Sequence, residues 1–290
     1  MSLKALNYLK IIALLLPGFG LILFFLGMIL YVAIFQSFGL FNLSGEDNFT
    51  LQYWEKLFNR KVFYRSVNYS LYVGVISSII SVALAYPIAL WLRKPFYGSI
   101  IINSILKAPL LVHGLVAAFL FVNLVAYHGI INQIFIFIGL WDEPIRMQND
   151  KNAIGVLILQ VWKNLPFALL ILLGSIQSIG DDVIDAARDL GANSFARLKK
   201  IIAPLTISSM QAALIIIFIG ALADFSFQSI AGPTNKYSLS QLMLYYKNNG
   251  RWHEAAGVGV TIMIISFLGA IFISYLTKFI FFGRKINEFK

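Results

Sequence analysis

Two groups of polar residues interrupt an otherwise apolar chain, and their types and spacing limit the chemistry it can do. The first is the run Asp181-Asp182-Val183-Ile184-Asp185-Ala186-Ala187-Arg188-Asp189-Leu190-Gly191, continued by Ala192-Asn193-Ser194-Phe195-Ala196-Arg197-Leu198-Lys199-Lys200-Ile201-Ile202-Ala203-Pro204. Acidic residues open it and basic residues close its second half, the order that complements helix dipoles. Ala186, Ala187 and Leu190 recur at three- to four-residue spacing and therefore share a helical face. Gly191 permits a sharp backbone turn or the close approach of another chain. Pro204 is expected to end the second helical element or kink the start of the next span. These residues predict a short helix, a glycine turn and a second short helix. An ordinary solvated loop accounts for the charges equally well; the compact Ala-Ala face beside Gly191 is the feature suited to a docking protein.

The second group is scattered: His113, Gln160, Lys163, Asn164, Gln211 and Asp224, with Asn103 and Asn123, each inside or at the end of a long apolar stretch. A polar side chain at membrane depth needs a satisfied environment, so each is a candidate either for a solute path or for a hydrogen bond between helices. Asp224 ends an uncharged stretch. Its carboxylate could receive an ammonium-bearing solute, pair with Lys163, or be a hydrated helix end. Bond-making chemistry is not indicated. His113, His128 and His253 are far apart in the chain, cysteine is absent, and no His/Cys/carboxylate cluster has metal-ligand spacing. No Gly-x-x-x-x-Gly-Lys-Ser/Thr phosphate loop occurs, so ATP hydrolysis is not expected of this chain, nor a cofactor or metal of its own.

The elements that must position these groups are long apolar helices. Of 290 residues 59% are hydrophobic and 12% charged, roughly half the charge of a soluble domain. No charged residue occurs from Ile11 to Phe38, a run that at about 1.5 Å per residue crosses a hydrocarbon core of roughly 30 Å. Further spans are expected near Ser66 to Leu92, Ser99 to Ala126, Ala153 to Ile176, Ile207 to Asp224 and Ala255 to Phe282. The fold class is therefore all-α, a polytopic membrane protein of about six transmembrane helices, with residues 181–204 as a connecting loop. Pro87, Pro109 and Pro166 are expected to break three of the spans and free backbone carbonyls. The apolar segment Ile130 to Trp141 is too short to cross and reads as a helix that lies in the interface or re-enters it.

Lys4 and Lys10 precede the first apolar run, but that run is too long for a signal-peptide core, and an uncleaved first helix is expected. The formal charge of +10 does not indicate nucleic-acid binding, because the basic residues are spread through short connections. They read as topology signals. The very short Arg93-Lys94 connection and the C-terminal Arg284, Lys285 and Lys290 place both termini in the cytoplasm.

The loop Asp185-Ala186-Ala187, Gly191, Ile201 and Pro204 resembles the EAA motif of binding-protein-dependent ABC importer permeases, in which Glu-Ala-Ala is followed at fixed intervals by Gly, Ile and Leu-Pro. Asp185 stands where that family usually has Glu, and Ala203 where it usually has Leu. The likeness extends through Ala85-Tyr86-Pro87-Ile88-Ala89 and Leu165-Pro166-Phe167 over most of the chain. Its pattern is most similar to the spermidine/putrescine branch.

The resemblance implies one importer transmembrane domain over residues 1–290, with a core of about 66–282 and residues 181–204 as a cytoplasmic coupling loop. It implies residence in the bacterial inner membrane and a cytoplasmic ABC ATPase dimer that carries ATP and Mg. It also implies a second permease, related but distinct, and an external solute-binding protein. A polyamine is the expected solute. An inorganic anion, ferric iron, an amino-phosphonate or a sugar would leave the coupling motif unchanged, and a non-transporting membrane receptor or scaffold would use the same loop for recruitment alone.

Overall fold

The computed structural model describes residues 3–42, 47–145, 147 and 149–282, with residues 3–13 and 280–282 as backbone. Among the topology charges, Arg284, Lys285 and Lys290 lie outside the described residues. Every regular element described is helical: α1 (Leu3–Ser37), α2 (Gln52–Phe58), α3 (Lys61–Trp91), α4 (Ser99–Lys107), α5 (Gly114–Val125), α6 (Ile130–Phe137), α7 (Ile154–Gln177), α8 (Asp181–Asp189), α9 (Ser194–Arg197), α10 (Ala203–Ala223), α11 (Ser226–Ala231), α12 (Leu239–Asn248) and α13 (Trp252–Phe282). Among the described residues six stretches are long and apolar enough to cross a membrane: Leu14–Ser37, Lys61–Trp91, Gly114–Phe137, Ile154–Gln177, Ser194–Ala223 and Trp252–Phe279.

The third stretch differs from the expected one. The run from Ser99 to Ala126 is not one helix. It comprises α4, a 3-10 turn at Ala108–Leu111 and, after an extended Val112 and His113, α5. Pro109 supplies the reason, since it removes a backbone donor and crowds the preceding turn. The long apolar stretch is instead α5 followed by α6 across the turn at residues 126–129. Fully buried Asn132 fixes that turn: its amide donates to the carbonyls of Ala126 and Ile145, at 2.9 and 3.0 Å, and accepts the Ile145 N–H at 2.9 Å. Pro87 and Pro166, by contrast, sit inside uninterrupted helices α3 and α7.

Pro204 neither ends its helix nor separates α9 from α10. A five-residue π turn, Leu198–Ile202, precedes it, and the helical path is continuous into the fifth span. The wider π turn relieves the clash and the missing donor that proline imposes on an α-helix.

The chain forms two compact units. One joins the chain up to Lys61 with Leu242–Thr261, and the other holds Val62–Gln241 and the chain from Ile262 onward. In the first unit, His253 Nδ1 lies 2.7 Å from the Gln36 carbonyl and its ring packs on Tyr53, while Leu57 is fully buried beside Gly257. Arg251 pairs with the buried Glu254 at 2.7 Å and covers the Tyr246 ring. The apolar side chains of α1 from Leu14 to Tyr31 are largely uncovered, as lipid contact or a membrane partner requires.

The second unit carries the polar groups named above. Its core brings Val82, Ala85 and Ala89 of α3 against Leu169, Leu172 and Ile176 of α7 and Ala213 and Ile217 of α10. Ala85 and Ala89 are fully buried, and such small residues let membrane helices approach closely without a hydrophobic driving force between them. The Tyr86 and Thr206 hydroxyls, 2.9 Å apart, add a polar tie between α3 and α10.

Phe218 of α10 closes the other side of this packing. A Cβ on Gly74 would come within 3.2 Å of its ring and one on Gly269 within 2.3 Å. Gly269→Ala is therefore expected to destabilise the protein by about 1–3 kcal/mol through overpacking, and Gly74→Ala by less. Thermal unfolding in detergent measures both. Phe218→Leu should restore much of the loss in Gly269→Ala, whereas additive losses would remove this account of the glycine.

Candidate functional site

The 181–204 loop is built as its residue order predicts, with closures the order alone does not reveal. Asp181 and Asp182 occupy the first turn of α8, and Arg188 the last. Asp181 Oδ1 accepts Arg93 Nη2 at 3.0 Å and lies 3.5 Å from Lys94 Nζ. The same Arg93 nitrogen donates to the Ile179 carbonyl at 2.8 Å. The short connection after α3 is thus fastened to the root of α8. Arg93 was legible as a topology charge and not as an anchor; the acidic pair Asp181-Asp182 was the available signal.

At the end of α8, Gly191 has φ +82, the left-handed conformation that glycine adopts without a Cβ penalty. The Ala192 N–H reaches back to the Ala187 carbonyl and the Gly191 N–H to that of Arg188, both at 2.9 Å. This pair of bonds is the Schellman closure of a helix terminus. Two residues later the Asn193 side chain accepts the Ala196 N–H at 2.8 Å and caps α9.

Two faces of the loop differ. Ile184 and Leu198 pack on the α3–α7–α10 core, while Ile201 and Pro204 are half-buried at the return to the bundle. On the other face Val183, Asp185, Ala186 and Leu190 are exposed, and Leu190 is 89% accessible. Phe195, at 68%, extends this uncovered apolar ridge onto α9. The exposed side chains of Val183, Leu190 and Phe195 thus form an uncovered apolar ridge across α8 and α9.

The polar residues of the spans fall into three settings. Lys163, on α7, turns its ammonium to the break between α4 and α5. It donates to the Pro109 carbonyl at 2.7 Å, to Leu110 at 3.4 Å and to Val112. Pairing with Asp224 is not what the structure holds. His113 follows directly, exposed, as the residue before α5, and Gly114 lies against Ser226 and Phe227 of α11. On α7, Asn164 donates to the carbonyl and side-chain oxygens of buried Gln160, at 2.8 and 2.9 Å, while Gln160 Nε2 has no partner.

Asp224 is the first residue beyond the fifth span, half-buried. Its carboxylate accepts the Phe227 N–H at 3.1 Å and so caps α11. Burial pushes its carboxyl up to about 6, against the opposing pull of the backbone N–H groups of Phe227, Gln228 and Ser226. Around it Ser240 donates to the Asp224 carbonyl at 2.6 Å, and Tyr69 donates to Gln228 at 2.7 Å. Gln211 stands apart, donating from α10 to the Ser274 carbonyl and Thr277 hydroxyl of α13 as a tie between helices. The structure therefore places Lys163 and His113 at the break, sets Gly114 against α11, whose start Asp224 caps, and leaves Gln211 elsewhere.

One residue was missed by the sequence reading. Asp150 accepts the N–H groups of Asn152, Ile154 and Gly155 at 3.1, 2.8 and 3.1 Å and thereby starts α7. The side chain three residues before the apolar run of α7 was the signal available. Among the described residues no group of three or more His, Cys, Asp or Glu could hold a metal ion.

Comparison with known proteins matches residues 69–285 to the family described as binding-protein-dependent transport system inner membrane component. The chain is similar to the spermidine/putrescine transport system permease protein PotB of Haemophilus influenzae, 27% identical over 74% of this chain and 76% of that protein. It is also similar to the trehalose/maltose transport system permease protein MalF of Thermococcus litoralis, 30% identical over 74% of each. In fold it is similar to a chain of a bacterial ABC transporter involved in import of the acidic polysaccharide alginate. The TM-score there is 0.78 at 17% identity, over 95% of this chain and 97% of that one. The chain thus belongs to the binding-protein-dependent transport system inner membrane components, as an ABC-importer permease subunit that moves a solute from a binding protein and leaves ATP hydrolysis to a partner.

Proposed function

We propose that this permease imports a small organic cation, a polyamine above all, and that residues 181–204 are the cytoplasmic loop on which an ABC ATPase docks. The observation that carries the docking reading is the uncovered ridge of Val183, Ala186, Leu190 and Phe195 on a loop closed by the Gly191 turn and anchored through Arg93 to Asp181. Movement of that ridge with a closing ATPase pair would pull on α7 and α10, the two helices that the loop joins. ATP and Mg then belong to the ATPase dimer. A second permease, related but distinct, completes the membrane pore, and an external binding protein delivers the solute. Both termini face the cytoplasm in this reading, and the membrane is the bacterial inner membrane.

Support for an organic cation comes from similarity to PotB proteins, which is 24–27%, and from Asp224 at the end of the fifth span. A second reading, an anionic solute, is favoured by a cleft of about 340 Å³ lined by Arg65, Asn68, Tyr69, Tyr72 and Lys236. Mass spectrometry of the solute carried by the binding protein, with uptake of radiolabelled spermidine by vesicles containing the complete complex, separates the two.

The docking loop has a discriminating pair of variants. Beyond its two chain neighbours a Cβ on Gly191 would meet nothing within 4 Å among the described residues, so its φ is what resists substitution within this chain. Gly191→Ala is expected to cost about 1 kcal/mol of local stability with the ATPase still bound. Gly191→Trp should insert normally yet lose ATPase co-purification and coupled uptake, and equal behaviour of the two variants would remove the docking surface.

Asp224→Asn keeps an oxygen to cap α11 and removes only the charge. If the ionised carboxylate receives the cation, uptake falls as external pH drops through about 6, since protonation removes the charge. Asp224→Asn should lower uptake and flatten that profile. Wild-type kinetics in the variant would exclude Asp224 from the solute path.

A further inference from the structure

The break in the third expected span creates more than a bend. Three backbone carbonyls, of Pro109, Leu110 and Val112, converge on one nitrogen, the Nζ of Lys163. A primary ammonium has three N–H bonds, and three carbonyl oxygens lie within hydrogen-bonding reach of this one. A guanidinium is planar and cannot point three donors at such a cluster, while a calcium-sized ion requires six or more oxygens. Among the described residues, Lys163 is in none of the ion pairs. Its charge is held by carbonyl dipoles alone, so one ammonium can replace another there without stranding a carboxylate.

The surroundings extend the match. An apolar cavity of about 350 Å³ between α5 and α7 begins at Val112, which is also part of the cage, and is lined further by Ala117, Phe121, Leu159 and Trp162. Methylene groups gain from such walls, and aromatic faces attract cations. A carbonyl cluster that shares Val112 with an apolar, partly aromatic cavity suits an alkylammonium, whose head would sit on the carbonyls and whose stem would lie along the cavity. Lys163 itself supplies an example of that ligand, an ammonium on a four-carbon stem.

We propose that the carbonyls of Pro109, Leu110 and Val112 form a binding site for a primary alkylammonium, filled in this structure by Lys163, and that the solute's ammonium displaces Lys163 during transport. This rests on the organic-cation reading above for the identity of the solute, and on the geometry for the cage. The exchange is like for like: one ammonium leaves as another arrives, and the carbonyls keep a donor throughout. It also frees Lys163 and α7 from the break, and α7 is the helix that leads into α8.

The test uses the assembled importer in vesicles, with ATPase activity stimulated by liganded binding protein as the readout. Lys163→Ala should lower this activity by about tenfold, the scale of one lost charged hydrogen-bond group. Millimolar propylammonium should restore most of it, and tetramethylammonium, which has no N–H, should not. Lys163→Cys provides the second variant. The chain contains no other cysteine, so in partners stripped of reactive thiols, an aminoethyl thiosulfonate rebuilds an ammonium at this position alone. Aminoethylation should restore activity, while the trimethylammonium and uncharged methyl reagents should leave it low.

Equal rescue by tetramethylammonium or by the trimethylammonium reagent would reduce the site to a net charge and overturn the cage. Failure of both propylammonium and aminoethylation would also overturn it. Wild-type vesicles that take up no spermidine, with the rescue intact, would exclude polyamines as the solute and leave the cage standing. Spermidine uptake without rescue would remove the cage alone.

Discussion

A backbone carbonyl or N–H inside hydrocarbon has no water to bond, and unsatisfied groups there cost several kcal/mol each. That constraint explains why the irregular points of this chain take the forms they do. The Pro109 break leaves carbonyls off the helical ladder, and Lys163 supplies three donors to them from α7. At Pro204 the missing donor and the ring clash are accommodated locally, by a π turn over Leu198–Ile202 that needs no outside partner. Asn132 covers the α5–α6 turn with its side-chain amide. Each irregularity is therefore coupled either to a neighbour on another helix or to its own widened turn. The breaks that use a neighbour are the ones that respond when helices shift.

Loop 181–204 follows a different rule because it must remain rigid outside the helix bundle. Its stiffness comes from end closures: the two backbone bonds around Gly191, the Asn193 cap and the Arg93–Asp181 anchor. None of these depends on burying apolar area, which leaves Val183, Leu190 and Phe195 uncovered. A loop that folded by burying those residues would have nothing left to offer a partner.

Much of this was legible in the sequence where a pattern has a single physical cause. Long uncharged runs produced five of the six spanning stretches; the third lies at Gly114–Phe137 rather than Ser99–Ala126 and takes in part of the segment read as a short interfacial or re-entrant helix. Asp-Ala-Ala with Gly191 gave the helix and glycine closure. Proline was legible only as a disturbance. Pro109 broke its span, Pro87 and Pro166 did not, and Pro204 was absorbed by a π turn; the outcome depends on neighbouring helices that a linear pattern does not contain. The scattered polar residues were the least legible. Lys163 and Asp224 carry opposite charges and so suggested a pair, yet the carbonyls of the break capture the lysine and the start of α11 captures the aspartate. Both captures are made by backbone groups, which every residue has and no sequence marks.

Capture by backbone rather than by an opposite charge also suits a path that a solute must leave. A carboxylate buried beside Lys163 would hold it by full Coulomb attraction in a low-dielectric setting, and removing either partner would strand a charge. Carbonyl dipoles leave no opposite charge behind when the ammonium moves away. α7 bears Lys163, and α8, which carries part of the exposed ridge, begins after a three-residue break in the helix at 178–180. In the proposed reading, displacing the lysine acts on α7 and moving the loop acts on α8, so a solute at the break and an ATPase at the loop would be coupled through the short 178–180 connection.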